Sequence, residues 1–200
     1  MYNLYEQICI AALEEDETSL AEEYLTKLTK TFKSSQRVSR LQGMCLEAKE
    51  MFTEALALYD EVLKENPANS LIKKRKVAIY RAQDKNTDAV AELHSILRLF
   101  PADTSSWIEL AELHTSLSEY PSAAHCYEEV ILIDPHNPHA HTRLADCYVQ
   151  MESVENLILA RKHYSTSLES IQLTRTKLTY QLLSIDTGNC QGGKCKYATE

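Results

Sequence analysis

Turn-forming residues are scarce in this chain, with four glycines and five prolines in 200 residues. A sandwich or barrel of many short strands needs more of them, so helix is the expected element. No apolar run approaches the roughly 20 residues that span a bilayer. The opening MYNLYEQICIAALEEDE has no basic start and turns acidic, unlike a secretory signal. Positive charge is also short: 21 Lys and Arg against 29 Asp and Glu leave a net charge of -8. That balance argues against a general nucleic-acid binder, which needs clustered cations to displace phosphate counterions. Phosphate-binding glycine loops, GxSxG and HExxH are missing, so no enzyme is expected.

Six cysteines are present: Cys9, Cys45, Cys126, Cys147, Cys190 and Cys195. Four lie in helical patterns, where a reduced thiol packs as a small apolar group. Without a secretory signal, reduced thiols are expected throughout. His136, His139 and His141 in DPHNPHAH suggest a metal at first sight. His139 and His141 are two apart at a helix start and so diverge, and CQGGKC has no second pair. No metal or cofactor is expected.

What the chain does have is a period. Pro67, Pro101 and Pro135 are 34 residues apart, as are Ala21, Ala55, Ala89 and Ala123. Four residues after each alanine stands a large side chain (Leu25, Tyr59, Leu93, Tyr127), and three further on an apolar one (Leu28, Val62, Ile96, Val130). This spacing puts all three on one helical face, where a small residue admits a neighbouring helix and a bulky one fills the space beside it. Ser35, Asn69, Asp103 and Asn137 recur as N-cap formers at one phase. Each proline stops a helix, because it disfavours helical geometry in the residue before it. The unit is helix, short turn, helix, proline turn.

Such a unit resembles the tetratricopeptide repeat. Residues 104–137 match best, with Trp107, Leu110, Ala111, Ala123, Tyr127 and Pro135 at the family positions; residues 36–69 keep Gly43, Ala55, Tyr59 and Pro67. The expected fold is an all-α superhelical solenoid of about five helix pairs: 2–35, 36–69, 70–103, 104–137 and 138–173. A capping helix is expected at 174–184, which closes a single domain over 1–184, with a flexible tail at 185–200. In the last pair Ala160, Tyr164 and Ser167 arrive three residues late, and the added residues are expected in a longer turn, within MESVEN.

In that repeat family the first helix of each pair lines a concave, partner-binding groove. By phase the candidates here are Arg37, Arg40 and Met44, then Lys74, Arg75, Ala78 and Arg81, then Ile108, Glu109 and Glu112, then His139, Arg143 and Asp146. The groove is expected to be basic around the second and third units, suiting an acidic peptide, unless KKRK at 73–76 is only a solvated face. A soluble co-chaperone or adaptor that grips an acidic peptide is therefore the alternative reading. The chaperone clamp of this repeat family needs an asparagine where Met44 and Ala78 stand, which weakens it.

Longer stretches narrow the resemblance: YEQICIAAL, RVSRLQGMCLEA, ALALYDEVLKENPAN, KKRKVAIYRAQDKN, WIELAEL, DPHN and VENLILARKHY. They are similar to the family of subunit 2 of the endoplasmic reticulum membrane protein complex, from about residue 5 to 170, late phase included. Relative to that family the chain opens later and departs after about residue 172. The resemblance implies a non-catalytic scaffold, peripheral on the cytosolic face of the reticulum, within a complex that inserts tail-anchored and other transmembrane proteins. It implies partners among the other subunits: cytosolic segments of subunits 3 and 5 in the groove, and subunit 8 or 9 on another surface. It implies no nucleic acid and no membrane span of its own.

Overall fold

The computed structural model describes residues 2–33 and 35–189, with side chains as far as residue 172. Every regular element among these is a helix. They pair as α1 (Tyr2–Glu14) with α2 (Thr18–Thr31), α3 (Gln36–Ala48) with α4 (Phe52–Glu65), and α5 (Ser70–Ala82) with α6 (Asn86–Leu99). Then follow α7 (Thr104–Ser116) with α8 (Tyr120–Ile133), and α9 (Pro138–Gln150) with α10 (Val154–Asn189). The fold class is the all-α, tetratricopeptide-type array that the period predicts.

The boundaries have local causes. Asn69 and Asn137 cap α5 and α9, each side-chain oxygen accepting the backbone N–H three residues on, from Ile72 at 3.3 Å and Ala140 at 3.2 Å. Ser35 stands at the same phase before α3 but makes no such bond. Asn66, Phe100 and Asp134 leave helical geometry just before Pro67, Pro101 and Pro135. Phe32 ends α2 with almost the same backbone angles although Lys33 follows it, so the geometry belongs to the repeat and proline only reinforces it.

The turn inside each pair is always three residues, and its middle residue is left-handed. Asp16, Glu50, Asp84, Ser118 and Glu152 have φ of 58°, 60°, 56°, 60° and 54°. None is glycine, although a side chain there costs on the order of 1 kcal/mol. The conformation lets the chain fold back on the helix it leaves: the N–H groups of Glu17, Met51, Lys85 and Glu119 donate to the carbonyls of Ala12, Leu46, Tyr80 and His114 at 2.8–2.9 Å. These are the long bonds of Schellman motifs, which satisfy otherwise orphaned helix-end carbonyls.

Two expectations about the C-terminal part need correction. The turn between α9 and α10 is no longer than the others, since Glu152 occupies the usual left-handed position. The three extra residues instead lengthen the start of α10. Three residues are close to one helical turn, so Ala160 still reaches the interface and is 2% exposed. Residues 174–184 form no separate capping helix, because no proline or glycine interrupts the chain from Val154 to Thr187 and α10 runs on. Residues 190–200, with Cys190, Cys195 and most of the expected tail, lie outside the described residues.

Where the sequence suggests one array over 1–184, the helices group into two compact units, Met1–Ser106 and Trp107–Glu200. In the first, the phased alanines Ala21, Ala55 and Ala89 are fully enclosed, together with Tyr59 and Leu93. Gly43 on α3 lies against the Tyr59 ring, so close that a Cβ there would overlap Cε1, Cζ and the hydroxyl. Lys76 on α5 is almost covered and bonds Asp60 of α4 at 2.8 Å and faces Glu92 of α6 at 3.6 Å. In the second unit Ala123, Tyr127, Val130, Leu144 and Ala145 form the interior, and Trp107 meets His125 edge-on. Reduced Cys9, Cys45, Cys126 and Cys147 are all buried.

Candidate partner-binding groove

In the first unit the first helices α1, α3 and α5 are neighbours, and their charges meet. Glu6 on α1 is buried and takes two arginines from α3: Arg37 on one oxygen, and Arg40 on the other at 3.2 Å. Glu47 on α3 holds Arg75 of α5 by a two-point pair, with the Arg75 Nε at 3.2 Å, and also accepts the Tyr59 hydroxyl at 2.5 Å. Burial works against the Arg75 cation, but Glu47 outweighs it and raises its pKa. Burial and the same carboxylate push the Tyr59 phenol upward.

Lys74 donates to Asp103 at 2.7 Å and to Ser105 at 2.6 Å, tying α5 to the start of α7. Partial burial raises the Asp103 pKa, but Lys74 and the hydroxyls of Ser105 and Ser106 prevail and hold it at about 2. Met44 is half-buried beside the cluster of Cys9 and Cys45. Ala78 and Arg81 are exposed on α5.

The expected basic surface is thus largely neutralised from within. Arg37, Arg40, Lys74 and Arg75 do gather on adjacent helices, yet each already has a carboxylate partner. Glu6 and Glu47 are the residues that reading by phase overlooked, and Asp103 it read only as a helix cap. A signal was present: Glu6 and Arg40 are 34 residues apart and so share a position on successive first helices.

In the second unit Glu112, Arg143 and Asp146 come together at a cavity of about 730 Å3 that Tyr127 and Tyr164 also line. Asp146 accepts the Tyr164 hydroxyl at 2.6 Å and lies 3.8 Å from Arg143. Burial raises the Tyr127 phenol to about 12, so it stays a neutral donor. Ile108 and Glu109 are half-buried on α7, and His139 is exposed at the start of α9. His141 points inward instead, its Nδ1 3.0 Å from His163 and its Nε2 3.0 Å from the Pro135 carbonyl. Among the described residues no three His, Cys, Asp or Glu gather as a metal site.

Comparison with known proteins gives this geometry a family. The family described as EMC2 TPR-like repeat domain matches residues 19–169. The chain belongs to that family. It is 40% identical over 166 residues to ER membrane protein complex subunit 2-A of Xenopus laevis, covering 83% of this chain and 56% of that protein. TPR repeat protein oca3 of Schizosaccharomyces pombe is 34% identical over 171 residues, 84% of this chain and 61% of that one. The chain therefore spans little more than half the length of these curated relatives. Among solved structures, MamA from Desulfovibrio magneticus superposes with a TM-score of 0.65 at 19% identity, covering 86% of this chain and 95% of that one. At that identity the likeness concerns the fold alone. No described helix of this EMC2-family chain is long and apolar enough to cross a membrane.

Proposed function

We propose that the chain is a non-catalytic scaffold subunit of the ER membrane protein complex, peripheral on the cytosolic face of the endoplasmic reticulum. There it supports insertion of tail-anchored and other transmembrane proteins through protein–protein contacts. The observation that carries the reading is the 40% identity to subunit 2 over 83% of this chain. The side-chain arrangement supports it. Helical hairpins present first-helix surfaces lined with charges and hydroxyls, and such surfaces bind extended segments of partners. The proposed partners are other subunits of the complex: cytosolic segments of subunits 3 and 5 at the first helices, and subunit 8 or 9 on another surface.

Affinity purification of the tagged chain from cells tests this. Membrane subunits of the complex are expected in the eluate, and recovery of soluble chaperones alone would overturn the reading. The ion pairs also count against the acidic-peptide alternative. Such a ligand has to compete with Glu6, Glu47 or Asp103 for Arg40, Arg75 or Lys74, and among these paired cations Arg37 is the most open, 67% exposed.

A further inference from the structure

The cavity in the second unit differs in charge from the surface that the sequence nominates. Its volume of about 730 Å3 lies within the range of ligand-holding clefts and leaves room for a short run of extended chain. Two carboxylates, Glu112 and Asp146, face one cation, Arg143. Arg143 is spanned by Asp146 at 3.8 Å, whereas Glu112 has no ion-pair partner among the described residues. The uncompensated charge of the cavity is therefore negative, and the net charge of -8 for the whole chain has the same sign.

The remaining wall suits polypeptide. Gln150 offers an amide to main-chain donors and acceptors, the Thr115 hydroxyl, which donates to the Ala111 carbonyl at 2.8 Å, keeps only its acceptor side, and Val149 supplies an apolar edge. We propose that this cavity binds an extended polypeptide segment carrying a lysine or arginine, whose cation is drawn to Glu112 and Asp146. An acidic segment meets the opposite situation, since it has only Arg143 to attract it and two carboxylates to repel it.

The source of the segment rests on the scaffold reading. Cytosolic stretches next to membrane-spanning helices carry an excess of Lys and Arg, so the cytosolic flank of a membrane subunit has the required chemistry. The cavity thus assigns a charge to the partner: basic.

The test uses the full chain and immobilised ten-residue peptides whose central residue is Arg, Gln or Glu, the other positions being uncharged. Arg peptides are expected to bind about fivefold tighter than Gln peptides, as one partly exposed ion pair provides, with Glu peptides weakest. Added salt should shrink the difference. Glu112→Gln should remove most of the Arg preference. Glu155→Gln, an exposed acid at the start of α10 and not among the cavity-lining residues, should change nothing. Equal or tighter binding of Glu peptides, indifference to Glu112→Gln, or no binding in any series would overturn the inference. Complex subunits recovered from cells with no Arg preference would leave the scaffold reading standing and remove this one. An Arg preference without those subunits would do the reverse.

Discussion

Gly43→Ala should destabilise the first unit although it replaces glycine by the best helix former. In a helix interior that change alone is worth about 1 kcal/mol in favour of alanine. Here the new Cβ would occupy space held by the Tyr59 ring, which is fully enclosed and cannot swing out. Forcing extra volume into a packed interior costs about 1–3 kcal/mol. Displacing the ring also endangers its hydrogen bond to Glu47, a bond to a charged acceptor worth about 1.5–3 kcal/mol. The net expectation is a loss of about 2–3 kcal/mol, or a fall in melting temperature of roughly 5–10 °C at this chain length. Urea unfolding followed by circular dichroism measures it. The sign should reverse when Tyr59→Leu clears the space, so that alanine at 43 then stabilises by about its propensity alone. If Gly43→Ala stabilises the chain with Tyr59 intact, the packing argument is wrong.

Glu47→Gln should cost about 2–3 kcal/mol, because it strands the half-buried Arg75 and weakens the Tyr59 bond; Glu47→Gln with Arg75→Met should recover much of the loss in the same unfolding assay. Asp103 has a folded pKa of about 2, below its unfolded value of 3.8, so its contribution is present above pH 4 and lost as pH falls toward 2. Allowing for solvent screening this is about 1 kcal/mol, and in Asp103→Asn the fall in stability between pH 5 and 2 should be shallower by that amount. Charge reversal at Lys74 and Arg75 should destabilise the first unit rather than only alter its surface, since it sets glutamates against Asp103 and Glu47; a melting temperature unchanged from the parent chain would contradict those pairings.

Much of the fold was legible because packing repeats locally. A small residue at 21, 55, 89 and 123 with a bulky one four later is a statement about one helix face, and every one of those alanines is enclosed. The prolines and the asparagine caps act within a few residues of themselves, so their positions translate directly into helix ends. The left-handed turn residues left no such mark. Asp, Glu and Ser fill them instead of glycine, because their conformation is imposed by helix-end bonds such as Met51 to Leu46.

The candidate site divides in the same way. Phase alone placed Arg37, Arg40, Lys74 and Arg75 on first helices, and a sequence period can say that much. Whether those cations are available depends on which carboxylates lie across the neighbouring helix. Glu6, Glu47 and Asp103 reach them across 28 to 34 residues of chain, near 3 Å in space. Charge neutralisation is a through-space property, and only the tertiary packing of α1, α3, α5 and the start of α7 decided it. The opposite holds at α10, where three added residues predicted a longer turn and the helix absorbed them, since a near-complete helical turn restores the face that buries Ala160. By itself the sequence determined a repeating helical array of the EMC2 family, and the folded arrangement determined that Arg37, Arg40, Lys74 and Arg75 already hold carboxylates.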